Sequence, residues 1–164
     1  MSSQAKTKKD AKEEQLEEEI AEQKAVEALK QDGYSDVVID HWLHPRNFGQ
    51  LTHYDGYSDR ITSSCGDSMS IWFKVRGGVI EEAKFVSDIC IGAVSSGSML
   101  TEMIKGKTVK EALLISSEDV LNELNGLPPQ FVHCTELAVD TLQTAIRDYN
   151  EYKTDPWKRL YLQN

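Results

Sequence analysis

The chain has 164 residues and a formal net charge of −9, which fits one domain of ordinary size with an appendage. This acidity argues against nucleic acid and anionic membrane surfaces as partners, and no apolar run is long enough to span a bilayer or to form a secretory signal. The three cysteines are an odd number and do not favour a closed disulfide framework, so we expect a cytoplasmic protein whose cysteines bind metal or react.

Residues 1–33 are predicted to form an acidic helical extension ahead of the main domain. Good helix formers fill residues 10–30. The sparse apolar residues of this segment form a thin stripe: Leu16, Ile20, Val26 and Leu29. A solvated helix that ends at Gly33 explains the pattern, since the acidic block at residues 13–19 suits a water-facing surface. A docking or homo-oligomerisation helix that uses the stripe is the alternative.

A short helix is predicted to open the main domain. Ser35 is a favourable N-cap for a helix over Asp36–Leu43, and Pro45 ends that helix because the residue before a proline avoids the helical region. Residues 54–59 contain turn-forming side chains and are predicted to be a loop. Three histidines are interpreted as surface or turn residues: His41, His44 and His53.

Strands are predicted next. Residues 60–62 are β-prone, and residues 68–75 alternate between apolar and polar side chains with the period of a half-buried strand. A pair of glycines then predicts a hairpin turn, and residues 79–86 form the returning strand. Cys65 therefore lies in a loop at the entry of a strand, beside Gly66, where the backbone can come close to a ligand.

Helices fill the second half of the chain. Cys90 lies at a strand–helix junction, directly before a helix predicted over residues 92–105, whose small side chains indicate close backbone packing. Two further short helices are marked by their N-terminal caps: Thr108 with Glu111, and Ser116 or Ser117. Residues 127–129 read Leu-Pro-Pro and are predicted to be a rigid extended link.

The last long helix is predicted to begin near Val132 or His133. Its apolar residues recur over residues 137–149 with a strong amphipathic period, and Cys134 extends the same stripe by one turn. Residues 154–164 are expected to form a docked or frayed tail.

The cysteines lie at element boundaries, which favours a shared site. Thiolates select iron–sulfur clusters, zinc or copper(I), and a helix N-terminus lowers the pKa of a thiol, as we expect for Cys90 and Cys134. His133 or Asp67 could supply a fourth ligand beside Cys65 and the other cysteines, and such a set would hold a cluster less firmly than four thiolates. No CxxC pair is present, so the residues alone leave open a metal site, a sulfur site, or purely structural roles.

Four stretches of the sequence carry a family resemblance. They read VIDHWLHPRNFG, SSCGDSMSIWFKV, AKFVSDICIGAVSSGSMLTEMIKGKTVKEAL and LPPQFVHCTELAVDTLQTAIRDY. In this order and spacing the chain resembles, from about residue 34 to residue 149, the U-type iron–sulfur cluster assembly scaffold family, to which IscU and the N-terminal domain of NifU belong. Its histidine–cysteine pair and the absence of an insertion place the resemblance closer to the IscU and NifU branch than to the SufU branch.

The resemblance implies an α+β scaffold domain over residues 34–153, in which a small three-stranded antiparallel sheet packs against several helices, with a long C-terminal helix and an extra N-terminal helix. It implies a non-catalytic scaffold that assembles a [2Fe–2S] cluster from iron and from sulfur supplied by a cysteine desulfurase, and delivers it to recipient apo-proteins. The implied site has three cluster ligands and two assisting residues: Cys65, Cys90 and Cys134, with Asp67 and His133. Cys134 would be the first persulfide acceptor, and zinc commonly occupies this site in isolated members.

Three departures from the family pattern bear on partners. The chaperone-recognition element of the family has valine and lysine after its two prolines, whereas Gln130 and Phe131 stand here, which argues against docking to an Hsp70-type chaperone. Ile91 replaces a glycine, and residues 1–33 have no counterpart. Two other functions stay open: a zinc-bearing sulfur-transfer partner that stimulates a desulfurase, and a binding module that recruits partners through the acidic helix.

Overall fold

The structure is a computed structural model that describes residues 8–157. The chain divides between Tyr34 and Ser35 into two compact units, which are described separately. Within the described residues, none of the helices combines the length and the apolar character that crossing a bilayer requires.

The first unit is a single helix, α1, over Lys8–Gln31. None of its described residues is buried, as in the predicted solvated helix. Its C-terminus is closed at Gly33, which has φ of +91° and donates its N–H to the Lys30 carbonyl at 3.1 Å. The Tyr34 N–H bonds the Leu29 carbonyl at 3.1 Å, which completes the two hydrogen bonds of a Schellman motif. The glycine thus ends the helix where the sequence predicts.

The second unit combines one sheet with five helices among the described residues. The strands are β1 Gly56–Thr62, β2 Ser68–Arg76 and β3 Val79–Ser87. The helices are α2 Asp36–Leu43, α3 Ile91–Ile104, α4 Val109–Leu113, α5 Ser117–Glu123 and α6 His133–Thr154. The strands pair antiparallel in the order β1-β2-β3. The predicted α+β fold, with its three-stranded antiparallel sheet, long C-terminal helix and extra N-terminal helix, is confirmed.

The core lies between the sheet and two helices, with α6 packed over β1 and β2 and α3 packed over β3 and against α6. Alternate residues of the central strand supply fully buried side chains to this core: Met69, Ile71 and Phe73. The close approach of α3 depends on Gly97, because a Cβ there would lie 2.4 Å from the ring of Phe85 on β3. The small residues of α3 therefore allow the close packing that the sequence indicates.

Two local predictions were wrong, the first because of distant residues and the second because of a local hydrogen bond. Residues 56–59 belong to β1 instead of a loop, since Gly56 pairs with Phe73 and the Tyr57 N–H donates to Asp148 Oδ2 of α6 at 3.0 Å. The predicted extended link ends in a 3₁₀ turn over Pro129–Phe131, closed by the Phe131 N–H on the Pro128 carbonyl at 2.8 Å. The tail begins after Thr154, and residues 158–164 lie outside the described residues.

His41 is buried, with 7% of its surface exposed, so its assignment to the surface was wrong. It lies three residues after Val38 on the packed face of α2. Its Nδ1 and the Ser98 Oγ of α3 are 2.7 Å apart, and the same oxygen accepts the Arg46 N–H at 2.9 Å. Burial and the Arg46 charge lower the pKa of His41. His44 and His53 are exposed, as predicted.

Candidate functional site

The first turn of α6 carries two of the predicted site residues. His133 is the first residue of this helix, and Cys134 follows it. Cys134 is fully buried, whereas 24% of the His133 side chain is exposed. The amphipathic pattern places Cys134 on the apolar stripe that faces the core, and the start of the helix brings that stripe to the edge of the core.

Cys90 is the N-cap residue of α3. Its backbone is extended, with φ of −117° and ψ of 132°, and its carbonyl accepts the Val94 N–H at 2.9 Å. Its half-buried thiol makes no capping hydrogen bond to the helix, so the sulfur remains available for other partners. The predicted helix begins one residue earlier than expected and directly follows Cys90.

Cys65 and Asp67 lie on the tight turn between β1 and β2. The Ser63 N–H donates to the Asp67 carbonyl at 2.7 Å, and the Gly66 N–H donates to the Ser63 carbonyl at 3.0 Å. Gly66 has φ of +89°, a conformation that side chains rarely adopt. The turn leaves Cys65 exposed and directs a half-buried Asp67 towards α6.

Four of the five predicted site residues converge in space. The ligand atoms of Asp67, Cys90 and Cys134 all lie within 4.8 Å of one another. His133 Nε2 is 3.7 Å from Cys134 Sγ and 3.5 Å from Asp67 Oδ2. Cys65 is exposed and lies on the same turn as Asp67. In the part of the chain that the structure describes, it is not among the residues whose ligand atoms lie within 4.8 Å of one another. Three segments that are distant in sequence therefore meet at one site.

The electrostatics of Cys134 differ from the sequence-based expectation. Burial, followed by electrostatic interaction with the neighbouring Cys90 and Asp67 side chains, raises the pKa of the Cys134 thiol. The expected lowering by the helix N-terminus does not prevail, since a terminal dipole contributes only about 0.3–1 kcal/mol. A cation that enters the site would reverse this balance, and the thiol would lose its proton as the metal binds.

Gly92 is a site residue that the sequence did not single out. A Cβ at this position would lie 2.8 Å from Cys134 Sγ and 3.1 Å from the Phe131 Cβ. The first turn of α3 therefore contacts the buried thiol through bare backbone. The only sequence signal is that this glycine stands two positions after Cys90, with Ile91 between them.

A cavity of about 270 Å³ borders the site between the β1–β2 turn and α6. Ser63 and Ser64 line one side, and Glu136 and Asp140 line the other. His133 lines this cavity and also contacts Asp67 and Cys134, so the cavity borders the converging residues.

The donor set suits a soft or borderline metal. Thiolate, imidazole and carboxylate all bind zinc and iron, and a tetrahedral metal with bonds of about 2.3 Å to sulfur holds neighbouring sulfur atoms about 3.8 Å apart. The observed upper limit of 4.8 Å needs only a small contraction to reach that geometry. The two cysteines, the aspartate and the histidine thus fit a metal or a small iron–sulfur cluster.

Comparison with known proteins identifies the domain. Residues 33–155 match the family model described as the NifU-like N terminal domain. The chain is 45% identical over 132 residues to the iron–sulfur cluster assembly scaffold protein IscU 1 of Archaeoglobus fulgidus, covering 79% of this chain and 86% of that protein. It is 42% identical over 120 residues to the IscU scaffold of Escherichia coli K12, covering 71% of this chain and 93% of that protein.

Solved structures agree at the level of the fold. A protein of Fervidobacterium islandicum, described as an iron–sulfur cluster assembly scaffold for the SUF system, aligns with a TM-score of 0.58 and 25% identity, over 69% of this chain and 96% of that one. The N-terminal part of a NifU-like protein of Brucella abortus aligns with a TM-score of 0.56 and 21% identity, over 71% and 94% of the two chains. From its sequence and its fold, the chain belongs to the U-type iron–sulfur cluster assembly scaffold family.

Proposed function

We propose that the protein is a scaffold on which a [2Fe–2S] cluster is assembled from iron and from sulfur supplied by a cysteine desulfurase, and from which the cluster passes to recipient apo-proteins. The observation that carries this proposal is the convergence of Asp67, Cys90 and Cys134 within 4.8 Å, beside His133. The family relationship supplies the nature of the cargo, because the relatives are named as iron–sulfur cluster assembly scaffolds.

Three cysteines would hold the cluster. Cys90 and Cys134 are fixed by the first turns of two packed helices, and Cys65 would join them from the exposed turn. Asp67 and His133 assist, either as the fourth ligand or as proton acceptors for the thiols. A mixed donor set of this kind holds a cluster less firmly than four thiolates, which suits a cargo that must leave again.

Cys134 is the proposed first acceptor of sulfur. Its thiolate would attack the outer sulfur of a desulfurase cysteine persulfide, so that a new S–S bond forms to Cys134 and the donor cysteine leaves as a thiolate. His133 Nε2, 3.7 Å from Cys134 Sγ, is placed to take the thiol proton. Because Cys134 is fully buried, the donor must approach from the side of the exposed turn and displace it.

Anaerobic reconstitution with iron, sulfide and a desulfurase tests the proposal. The wild-type protein should acquire the visible absorption and circular dichroism of a [2Fe–2S] cluster, and a Cys90→Ser variant should not. A wild-type protein that forms no cluster would overturn the proposal, and a Cys90→Ser variant that forms a normal one would overturn the ligand assignment.

A zinc-bearing sulfur-transfer partner is the second candidate, since the same donor set suits tetrahedral zinc. Such a protein would raise desulfurase turnover without carrying a cluster. Metal analysis of protein purified without oxygen, combined with a turnover assay, separates the two functions. An Hsp70-type chaperone is not part of either proposal, since Gln130 and Phe131 follow the two prolines.

A further inference from the structure

Arg60, Ser68 and Asp88 form a hydrogen-bonded network beside the site, named here the clamp. Its members come from three different segments, namely β1, the first residue of β2, and the connection between β3 and α3. Ser68 and Asp88 lie within stretches that carry the family resemblance, but the resemblance assigns no role to them or to Arg60, and the proposed chemistry does not use them. Their position between the two site loops is the reason to consider them.

The Asp88 carboxylate is the centre of the clamp. Its Oδ2 accepts both the backbone N–H and the hydroxyl of Ser68, each at 2.8 Å. Its Oδ1 accepts a guanidinium N–H of Arg60 at 2.6 Å, and the Arg60 Nε–H donates to the Ser68 hydroxyl oxygen. The backbone N–H of Asp88 also donates to the Ser68 carbonyl at 3.1 Å. Each of the three residues therefore contacts the other two.

The clamp is joined covalently and by hydrogen bonds to the site residues. Ser68 directly follows Asp67, and the Asp88 carbonyl accepts the N–H of Cys90 at 2.9 Å. The same contacts that join Ser68 to Asp88 therefore fix the turn that carries Asp67 against the junction that carries Cys90. Together with the adjacent Met69–Ser87 pair of the sheet, they lie between the segments that carry the Asp67 carboxylate and the Cys90 thiol.

A β-bulge places Arg60 at the clamp. The register between β1 and β2 shifts between Ser58 and Ile61, where β1 has one residue more than the facing segment of β2. A bulge of this kind redirects a side chain at the edge of a sheet. The Arg60 N–H is held by Asp59 Oδ1 at 2.8 Å, which fixes the redirected residue.

The exposure of the clamp indicates a role other than overall stability. The side chains of Arg60 and Asp88 are 64% and 40% exposed, and an ion pair at such exposed positions contributes little to the stability of the fold. Outer residues that hold metal ligands in place, by contrast, change metal affinity by about 10–100-fold when they are substituted. The contacts are thus better suited to set geometry than to hold the fold.

We propose that the clamp is a positioning device that sets the spacing of Asp67 and Cys90 and thereby the tightness with which the site holds its metal cargo. This inference rests on the proposed function and names residues that regulate retention at the same site. Weakening the clamp lets the turn separate from the α3 junction, so the ligands remain but their spacing is no longer fixed.

Cobalt(II) binding to the full chain tests the clamp. Thiolate charge-transfer and d–d absorption report the ligand set, and competition with a chelator gives the affinity. We expect Asp88→Asn and Arg60→Gln to weaken binding by about tenfold and to alter the d–d bands. Glu81→Gln is the matched control, because it removes the exposed Arg76–Glu81 pair, with an N–O distance of 3.5 Å, at the other end of the β2–β3 hairpin. This control should bind cobalt as the wild type does.

The outcomes separate the two proposals. If the wild type binds cobalt through thiolates and both clamp variants bind within about twofold of it, the clamp proposal is wrong while the site stands. If the wild type shows no thiolate charge-transfer band, the metal site itself, and with it the proposed function, is wrong. Arg60→Gln decides the matter if Asp88→Asn does not fold, because it leaves the Ser68 contacts to Asp88 in place.

Discussion

The two sides of the site are built differently. On the helix side, Cys90 and Cys134 stand at the first turns of α3 and α6, and Gly92 packs its backbone against the buried thiol. On the turn side, Cys65 is exposed, and a Cβ at Gly66 would meet no atom within 4 Å. One side is therefore fixed by the core, and the other is surrounded by open space.

This difference matches the two tasks of the proposed function, which are assembly and transfer of a cluster. The α3 helix packs on the sheet through Gly97, and α6 packs on the sheet and on α3. These contacts hold the thiols of Cys90 and Cys134 at a fixed separation, so that a metal or cluster would find part of its site already formed. The turn is held to the α3 junction by surface hydrogen bonds between Ser68 and Asp88, which break at lower cost than core packing, so cargo and sulfur would enter and leave on this side. Assembly would depend on the first property and transfer on the second.

Substitution of the cysteines should have the largest effect on metal affinity and should distinguish the two sides of the site. Cys90→Ser and Cys134→Ser each remove a fixed thiolate and should weaken cobalt or zinc binding by at least about 100-fold, beyond the range for outer residues. Cys65→Ser should weaken it much less, because the remaining half-site stays formed. Chelator competition measures all three affinities. Equal losses for Cys65→Ser and Cys134→Ser would contradict the division into a fixed and an open side.

Two glycines of α3 contact different regions of the molecule: Gly92 contacts the site, and Gly97 contacts the core. Gly92→Ala places a Cβ 2.8 Å from Cys134 Sγ and should lower metal affinity by about tenfold, the scale of an outer-residue effect. Gly97→Ala places a Cβ 2.4 Å from the Phe85 ring and should cost about 1–3 kcal/mol of stability with little change in affinity. Urea unfolding and metal titration of both variants measure the two effects. If one variant lost more stability and also more metal affinity than the other, the assignment of Gly92 to the site and Gly97 to the core would be contradicted.

The smallest expected effect is on the pH dependence of stability, and it concerns His41 of α2. Burial lowers the pKa of His41 in the folded state, so the unfolded chain binds the extra proton first. The free energy of unfolding should therefore fall as the pH drops below about 6.5, the ordinary histidine value, through the lowered folded pKa. Arg46 adds to this lowering, while Asp40 and Glu102 oppose it.

Urea unfolding on both sides of that pH measures the effect. His41→Asn should reduce the dependence of stability on pH, whereas His53→Asn, at an exposed position, should leave it unchanged. If the free energy of unfolding of His41→Asn depended on pH as the wild type does, groups other than His41 would be its cause.

Sequence patterns predict the parts of this molecule that short-range chemistry determines. The N-cap at Ser35, the capping box at Thr108 and the glycine at the end of α1 lie where the sequence predicts, and Ser116 is one of the two caps predicted for α5, since each acts within five residues. The features that were missed depend on distant partners. β1 is extended because Tyr57 meets Asp148, and His41 is buried because it meets Ser98.

The site shows the same division. The family resemblance groups Cys65, Cys90 and Cys134 with Asp67 and His133, and the structure brings all of these together except Cys65, which lies exposed on the turn. The raised pKa of Cys134 was not foreseeable, because the burial and the neighbouring charges that cause it arise from three segments. The contact of Gly92 with the thiol arises in the same way, since it requires α3 and α6 to meet.

X-ray absorption at the zinc edge of the zinc-loaded full chain tests the convergence of the cysteines most directly. We expect a sulfur shell at about 2.3 Å with at least the two thiolates of Cys90 and Cys134, completed by nitrogen or oxygen from His133 or Asp67. A shell of nitrogen and oxygen alone would contradict a shared thiolate site.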